Sequence, residues 1–173
     1  DSGFITTNSL KIYKKLLILR YAGIDMKKDE CIYPDLNNKI DTLQANILDY
    51  RLSTVSKIIK KRISNAKYYE KNLLNVKKPI FSKKGNHVYY TYQIICEKRD
   101  ELKKFLEKNG IETKIQQNKL IYDHYGLKNF NKYSSKFPNG DVLKKKILCL
   151  PIHEKLTLSD LKFITNKVNE FCN

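Results

Sequence analysis

The chain has 173 residues, with 34 Lys and Arg against 18 Asp and Glu, a formal net charge of +16 and 41% hydrophobic residues. That is enough apolar material for one domain, or part of a larger one, to bury roughly 70% of its unfolded surface. No run of about 18 apolar residues is present, so no membrane-spanning helix is expected, and no secretory signal is read at the start. Cys31, Cys96, Cys149 and Cys172 lie far apart, without a CxxC pair or a His at ligand spacing. A metal site and a disulfide framework are therefore not expected, and reduced thiols in a cytoplasmic protein are.

The charge invites a nucleic-acid reading. It is carried almost wholly by Lys, however, with Arg only at Arg20, Arg51, Arg62 and Arg99. Base and phosphate readout favours the Arg fork. The lysines are also spread along the whole chain, which points to a compositional bias. The alternative reading is a stand-alone basic nucleic-acid-binding α/β module whose Tyr89, Tyr90 and Tyr92 stack bases. Alternation along a strand would turn at least one of those rings into the core.

In chain order, Gly3 to Thr7 is a short β-prone run, and Asn8 is placed to cap the helix after it. Leu10, Tyr13, Leu16 and Leu17 mark one face of that helix, which ends near Tyr21 and Gly23 and gives way to an irregular polar dozen. From Ile40, apolar residues at Leu43, Ile47, Val55, Ile58, Ile59, Ala66, Tyr69 and Leu73 predict one long helix. Asn38 is its expected N-cap, with Asp41 as the acidic partner. Asn37, Asn38 and Lys39 beside a helix N-terminus form a candidate phosphate site.

Asn75 to Asn86 shifts composition and reads as a unit boundary. His87 to Cys96 reads as a strand. Lys98 to Asn109 reads as a helix with Leu102, Phe105 and Leu106 inward, closed by Gly110. Ile111 to Gln116 reads as a second strand. Asn118 to Phe137 is an aromatic loop containing Tyr122, His124, Tyr125, Phe130 and Tyr133, expected to be exposed. Pro138-Asn139-Gly140 leads into a short helix, Ile147 to Leu150 is a buried strand stopped by Pro151, and Thr157 with Asp160 makes a capping box. Leu161, Ile164, Val168 and Phe171 face the last helix inward. Residues 75–173 thus read as a small α/β layer structure.

Six of these segments, in order, resemble the DegT/DnrJ/EryC1/StrS family of sugar aminotransferases, which use pyridoxal 5'-phosphate (PLP). They are Gly3 to Asn8 (GFITTN), Arg20-Tyr21-Ala22-Gly23, Asn37 to Ala45 (NNKIDTLQA), Arg62 with Tyr69, Gly110 to Gln116, and Leu150-Pro151-Ile152-His153. The resemblance implies the C-terminal portion of the type I PLP-dependent aminotransferase fold. Residues 1–74 would be the end of the large domain with the long connecting helix, and 75–173 the small α/β domain.

The same resemblance implies transfer of an amino group from an amino acid, expected to be glutamate, to a nucleotide-linked keto-sugar for polysaccharide or glycan synthesis. It places Asn37 on the PLP phosphate of the neighbouring subunit in a homodimer, joined by residue 39. Lys39 stands there in place of the family's Arg, keeping the charge and losing the fork. Asp35 stands where a Gly is usual, and Gln117-Asn118 where a His is common; that loop approaches the sugar, which makes Gln117 and His124 the substrate candidates. His87 and His153 are expected to be structural. The lysine that anchors the cofactor is expected upstream of Gly3, so no catalytic residue is expected within this chain. On that reading the chain is a fragment, inactive alone; a truncated, non-catalytic dimerisation partner is the third possibility.

If the charge is compositional, RNA or single-stranded DNA should bind weakly, without sequence preference, and dissociate by about 200 mM salt in a filter-binding titration. A sequence-selective complex persisting above that salt would reverse the ranking.

Overall fold

The computed structural model describes residues 2–80, 85, 87–127, 129 and 136–173. Residues 81–84 and 86 of the expected boundary, and Phe130 and Tyr133 of the aromatic loop, lie outside the described residues. The chain divides into two units, Asp1–Thr54 and Val55–Asn173.

In the first unit, helix α1 (Leu10–Leu19) is capped by Ser9, whose hydroxyl accepts the Ile12 N–H at 3.4 Å, rather than by Asn8. Gly3 to Thr7 is not a strand: a strand needs partner N–H and C=O groups, and no described residue pairs with this run. The irregular dozen contains an unforeseen hairpin, β1 (Ile24–Asp25) against β2 (Glu30–Cys31). Two-residue strands are too short to show alternation. The turn is set instead by the Asp25 carboxylate, which accepts the Lys27 N–H at 3.0 Å, and by Asp29 at φ +51°.

Helix α2 (Thr42–Asn72) begins in the first unit and ends in the second. Its 31 residues span about 46 Å at 1.5 Å per residue, as the periodicity predicts. The cap differs from expectation. Asp41, not Asn38, accepts a first-turn N–H, that of Leu43 at 2.8 Å, while the Asn38 amide donates back to Leu36 O at 3.1 Å. The predicted helix face is divided as well: Leu43, Ile47 and Val55 are exposed, whereas Ala66, Tyr69 and Leu73 are buried.

The second unit is built on an antiparallel pair, β3 (Tyr92–Ile95) and β4 (Ile147–Leu150), with Tyr92 opposite Leu150 and Ile94 opposite Leu148. Single bridges extend the pair on both sides, Lys77 to Ile95 and Lys114 to Cys149. The strand expected from His87 is therefore shortened: Tyr89 turns at φ +49°, its N–H bonded to His87 Nδ1 at 3.0 Å. Ile111 to Gln116 meets β4 at one position only, because the four-residue β4 is stopped by Pro151.

Directly opposed residues share a face, so Tyr92, Ile94, Leu148 and Leu150 form one buried surface. Against it pack the end of α2, Leu102 and Leu106 of α3 (Arg99–Lys108), and Leu161, Ile164 and Val168 of α5 (Leu158–Cys172). Gly110, at φ +76°, closes α3 as a Schellman turn: Ile111 N–H reaches Leu106 O at 2.9 Å and Gly110 N–H reaches Glu107 O at 3.0 Å. The Thr157–Asp160 capping box of α5 is present. Tyr89 and Tyr92 are both core residues and only Tyr90 is exposed, so β3 offers no row of rings for base stacking.

Two polar anchors hold this unit. Tyr69 Oη donates to Pro151 O at 2.8 Å and Asn65 Nδ2 to His153 O at 3.0 Å, both from buried positions on α2. Burial holds the Tyr69 phenol well above its ordinary range. On the other side, Tyr122 is buried, unlike the exposed loop residue expected, and donates to Asp141 at 3.0 Å on α4 (Pro138–Lys146). The Lys144 ammonium bridges Asp123 at 2.8 Å and Asp141 at 2.7 Å. Its hydrogen bonds hold both carboxyls below the usual carboxylate range, while burial and the Asp141 bond raise the Tyr122 phenol.

Tyr69→Phe leaves the Pro151 carbonyl without its donor and should destabilise by about 1–3 kcal/mol in urea unfolding. An unchanged midpoint would show that water replaces the phenol. The depressed Asp123 and Asp141 contribute above their unfolded pKa, and the contribution is lost as pH falls below about 4 and through the folded values. Protection factors at residues 120–127, taken relative to the intrinsic exchange rate at each pH, should therefore be high at neutral pH and fall in acid. Lys144→Met should give fast exchange already at neutral pH and flatten the acid step.

Candidate functional site

The segment that carries Asn37 is fastened to the end of α1 by one glycine. Gly23 has φ +75°, and a Cβ there would lie 1.6 Å from Tyr33 O. Its own carbonyl accepts the N–H groups of Ile32 at 2.9 Å and Tyr33 at 3.2 Å, and its N–H reaches Ile18 O at 3.1 Å. Farther along, Asn38 N–H reaches Arg20 O at 3.1 Å, and Tyr21 and Asn37 form an antiparallel bridge. The Arg-x-x-Gly pattern is thus a backbone clamp on the loop from Ile32 to Asn38.

That clamp leaves a defined set of donors on the surface. Asn37 Oδ1 accepts the Lys39 N–H at 3.2 Å, so its amide NH₂ points away from the turn, exposed and without a partner among the described residues. The Lys39 ammonium lies 5.7 Å from the centre of the Tyr21 ring, a cation–π distance that restrains a long side chain. Asp35, the acid that departs from the family pattern, is engaged within the loop. Its carboxylate takes the Leu36 N–H at 2.8 Å and the Asn38 amide at 3.4 Å. Asn37 and Lys39 therefore present an amide donor and a cation, a donor set that suits a phosphate. The N-terminus of α2 adds less than expected, since Asp41 already holds its first turn.

Gln117 and His124 belong to the second unit, and both are exposed. His124 ends the 3-10 turn Ile121–Asp123, its N–H 3.4 Å from Ile121 O and its own carbonyl accepting Leu127 N–H at 2.9 Å. Neither residue lines the cleft of about 500 Å³ that runs between α2, the segment after Gly110 and the start of α5. Arg62, Thr113, Lys114 and His153 line it instead. Arg62 pairs with Glu154 at 3.4 Å, and the carboxyl of Glu154 is held low by its own backbone N–H and then by Arg62. The buried Thr113 hydroxyl has no partner among the described residues. Thr113 and Lys114 sit in the Gly110 to Gln116 block; reading that block as a strand gave no reason to single them out.

Comparison with known proteins bears on the family of the chain. The chain is 25% identical to a dTDP-3-amino-3,6-dideoxy-alpha-D-galactopyranose transaminase of Aneurinibacillus thermoaerophilus, over 98% of the chain and 46% of that protein. It superposes with a TM-score of 0.89 and 21% identity on S. venezuelae DesV, solved in complex with a ketimine intermediate, over 96% of the chain and 46% of DesV. A DegT DnrJ EryC1 StrS aminotransferase from Brucella abortus gives a TM-score of 0.86 at 25% identity, covering 96% of the chain and 45% of that structure. The chain thus spans slightly less than half the length of these relatives. Residues 1–169 match the family throughout, and the chain belongs to the DegT/DnrJ/EryC1/StrS aminotransferase family.

Proposed function

We propose that the chain is the C-terminal portion of a PLP-dependent aminotransferase that moves an amino group from an amino acid, glutamate in the first instance, to a nucleotide-linked keto-sugar. The observation that carries this reading is the clamped Asn37 loop. Its free amide and the restrained Lys39 offer a donor and a positive charge, and Asp35 is kept occupied by the loop itself. On this reading Asn37 and Lys39 hold the PLP phosphate of a second subunit. Bound PLP supplies the electron sink for amino transfer, and the part of the protein outside this chain supplies the lysine that anchors it. Gln117 and His124, both exposed, face the sugar nucleotide.

Residues up to Leu74 are assigned to the large domain and connecting helix, and 75–173 to the small domain. A homodimer is supported by the exposed apolar residues Leu43, Ile47 and Tyr50 on one face of α2. No helix among the described residues is long and apolar enough to cross a membrane, which accords with a cytoplasmic enzyme.

The test is to co-express the chain with the upstream half, remove free PLP by gel filtration, and follow cofactor absorbance and amino transfer to dTDP- and UDP-linked keto-sugars. The chain alone should associate or precipitate and retain no PLP band; the reconstituted protein should show the band and the activity together. Asn37→Ala should weaken PLP retention by about 1.5–3 kcal/mol, the range for a hydrogen bond to a charged group, and Lys39→Arg should leave it unchanged or tighter. Retention by Asn37→Ala equal to that of the parent would remove Asn37 from the cofactor site, and transamination by the monomeric chain alone would overturn the whole assignment.

A further inference from the structure

Lys39 brings a physical difficulty to the binding of a phosphate. Its ammonium is a point charge on a flexible four-carbon stem, without the planar fork that pre-organises an arginine. Such a group serves an anion site well when a neighbour fixes it. No carboxylate does so here. Lys39 is exposed and forms no ion pair among the described residues. The acids on either side are engaged by backbone and amide donors: Asp35 by the Leu36 N–H and the Asn38 amide, Asp41 by the Leu43 N–H at 2.8 Å. The group that meets the ammonium is the Tyr21 ring, its centre 5.7 Å away.

Three contacts close a triangle around that ring. Tyr21 and Asn37 form an antiparallel bridge, and directly opposed residues of such a bridge carry their side chains on one face. Asn37 Oδ1 accepts the Lys39 N–H at 3.2 Å. The Lys39 side chain then returns over the Tyr21 ring. The ring is anchored in turn: beside the bridge the Asn38 N–H reaches Arg20 O at 3.1 Å, and the Gly23 carbonyl takes the N–H groups of Ile32 and Tyr33. Tyr21 nevertheless stays 36% exposed, so its backbone is fixed while its ring is open to a partner from solvent.

We propose that Tyr21 is a positioning residue of the phosphate site, its ring holding the Lys39 ammonium beside the Asn37 amide; this rests on the reading of Asn37 and Lys39 as donors to the PLP phosphate. The face of an aromatic ring is the negative part of its quadrupole and attracts a cation without carrying a net charge. A carboxylate in the same place would hold the lysine equally well, but it would neutralise the ammonium and repel the phosphate. The neutral ring restrains the cation and leaves its charge for the anion. Tyr21 thereby supplies from a neighbouring segment the order that the lysine stem lacks.

The experiment uses the protein reconstituted from the chain and the upstream half, and compares the dissociation constants of PLP and of pyridoxal, the same aldehyde without the phosphate. Tyr21→Leu should weaken PLP about two- to fivefold, the worth of an exposed cation–π contact, and leave pyridoxal unchanged. Tyr21→Phe, which keeps the ring, should bind both as the parent does. On a Lys39→Met background, Tyr21→Leu should cost nothing further. In the parent, with lysines carbon-13 labelled, the Lys39 methylene next to the ammonium should resonate upfield of the other lysines through the ring current, so a Tyr21→Leu protein that fails to fold does not decide the matter. PLP binding by Tyr21→Leu equal to the parent's, an equal loss for pyridoxal, an undiminished loss without Lys39, or an unshifted Lys39 methylene would each overturn the proposal. If Lys39→Met weakens PLP and Tyr21→Leu does not, only the role of Tyr21 falls. If Asn37→Ala and Lys39→Met both bind PLP as the parent does, the cofactor reading of the loop falls, and this role with it.

Discussion

The second unit depends on two side-chain hydrogen bonds from the end of α2. Pro151 stops β4, so the carbonyls of Pro151 and His153 need donors from outside the ladder, and that of His153 also takes the Leu156 N–H at 3.3 Å. Tyr69 and Asn65, fully buried and four residues apart on one helix face, supply those donors at Pro151 and His153. A buried carbonyl left unpaired is costly, so the same bonds that end the strand also set where the helix lies across the sheet. The ring of Tyr69 then packs on Tyr92 at 5.1 Å, and the facing row Tyr92, Ile94, Leu148 and Leu150 is fixed by the strand register. Arg62, one turn earlier, reaches Glu154 in the same segment. The Arg62 and Tyr69 positions matched to the family are therefore the means by which a long helix is tied to a small sheet.

The first unit depends on a different constraint, one of backbone space. Only a residue without a Cβ can sit at position 23, because Tyr33 O occupies that volume. The clamp it permits fixes Tyr21 opposite Asn37, and so determines that Asn37 and Lys39 point outward while Asp35 and Asn38 bond inward. A glycine outside the loop thus governs the chemistry of the loop. The charge of the region obeys the same logic. An acid close to Asn37 would oppose an anion if it were free, and here Asp35 is bonded to an N–H and an amide of its own turn.

Part of the large positive charge is engaged within the fold. Arg99 is buried, pairing with Asp100 at 2.6 Å and donating to the carbonyls of Lys144 and Ile147, and Arg62 is engaged with Glu154. Lys144 serves as the bridge that holds Tyr122, Asp123 and Asp141 together. These cations stabilise the architecture, and the exposed lysines that remain lack the forked geometry that reads bases.

What the sequence by itself determined is what local pattern and short motifs encode. The 3.6-residue period of α2, the Schellman glycine after α3, the capping box of α5 and the buried run of β4 were all legible, because each rests on residues within a turn or two of one another. Six ordered blocks were enough to identify the family. What only the tertiary structure decided is where distant partners compete with local signals. Gly3 to Thr7 has strand composition but no described partner to pair with. His87 to Tyr89 has it too, and yields to a turn. Asn38 has cap chemistry, but Asp41 lies closer to the first free N–H. Tyr122 reads as a loop aromatic and is buried by Asp141 and Lys144, contacts separated by about twenty residues in the chain. Cys96 and Cys172 are distant in sequence and line one cleft. Such placements depend on how the backbone closes on itself, a non-local property that no window of sequence contains.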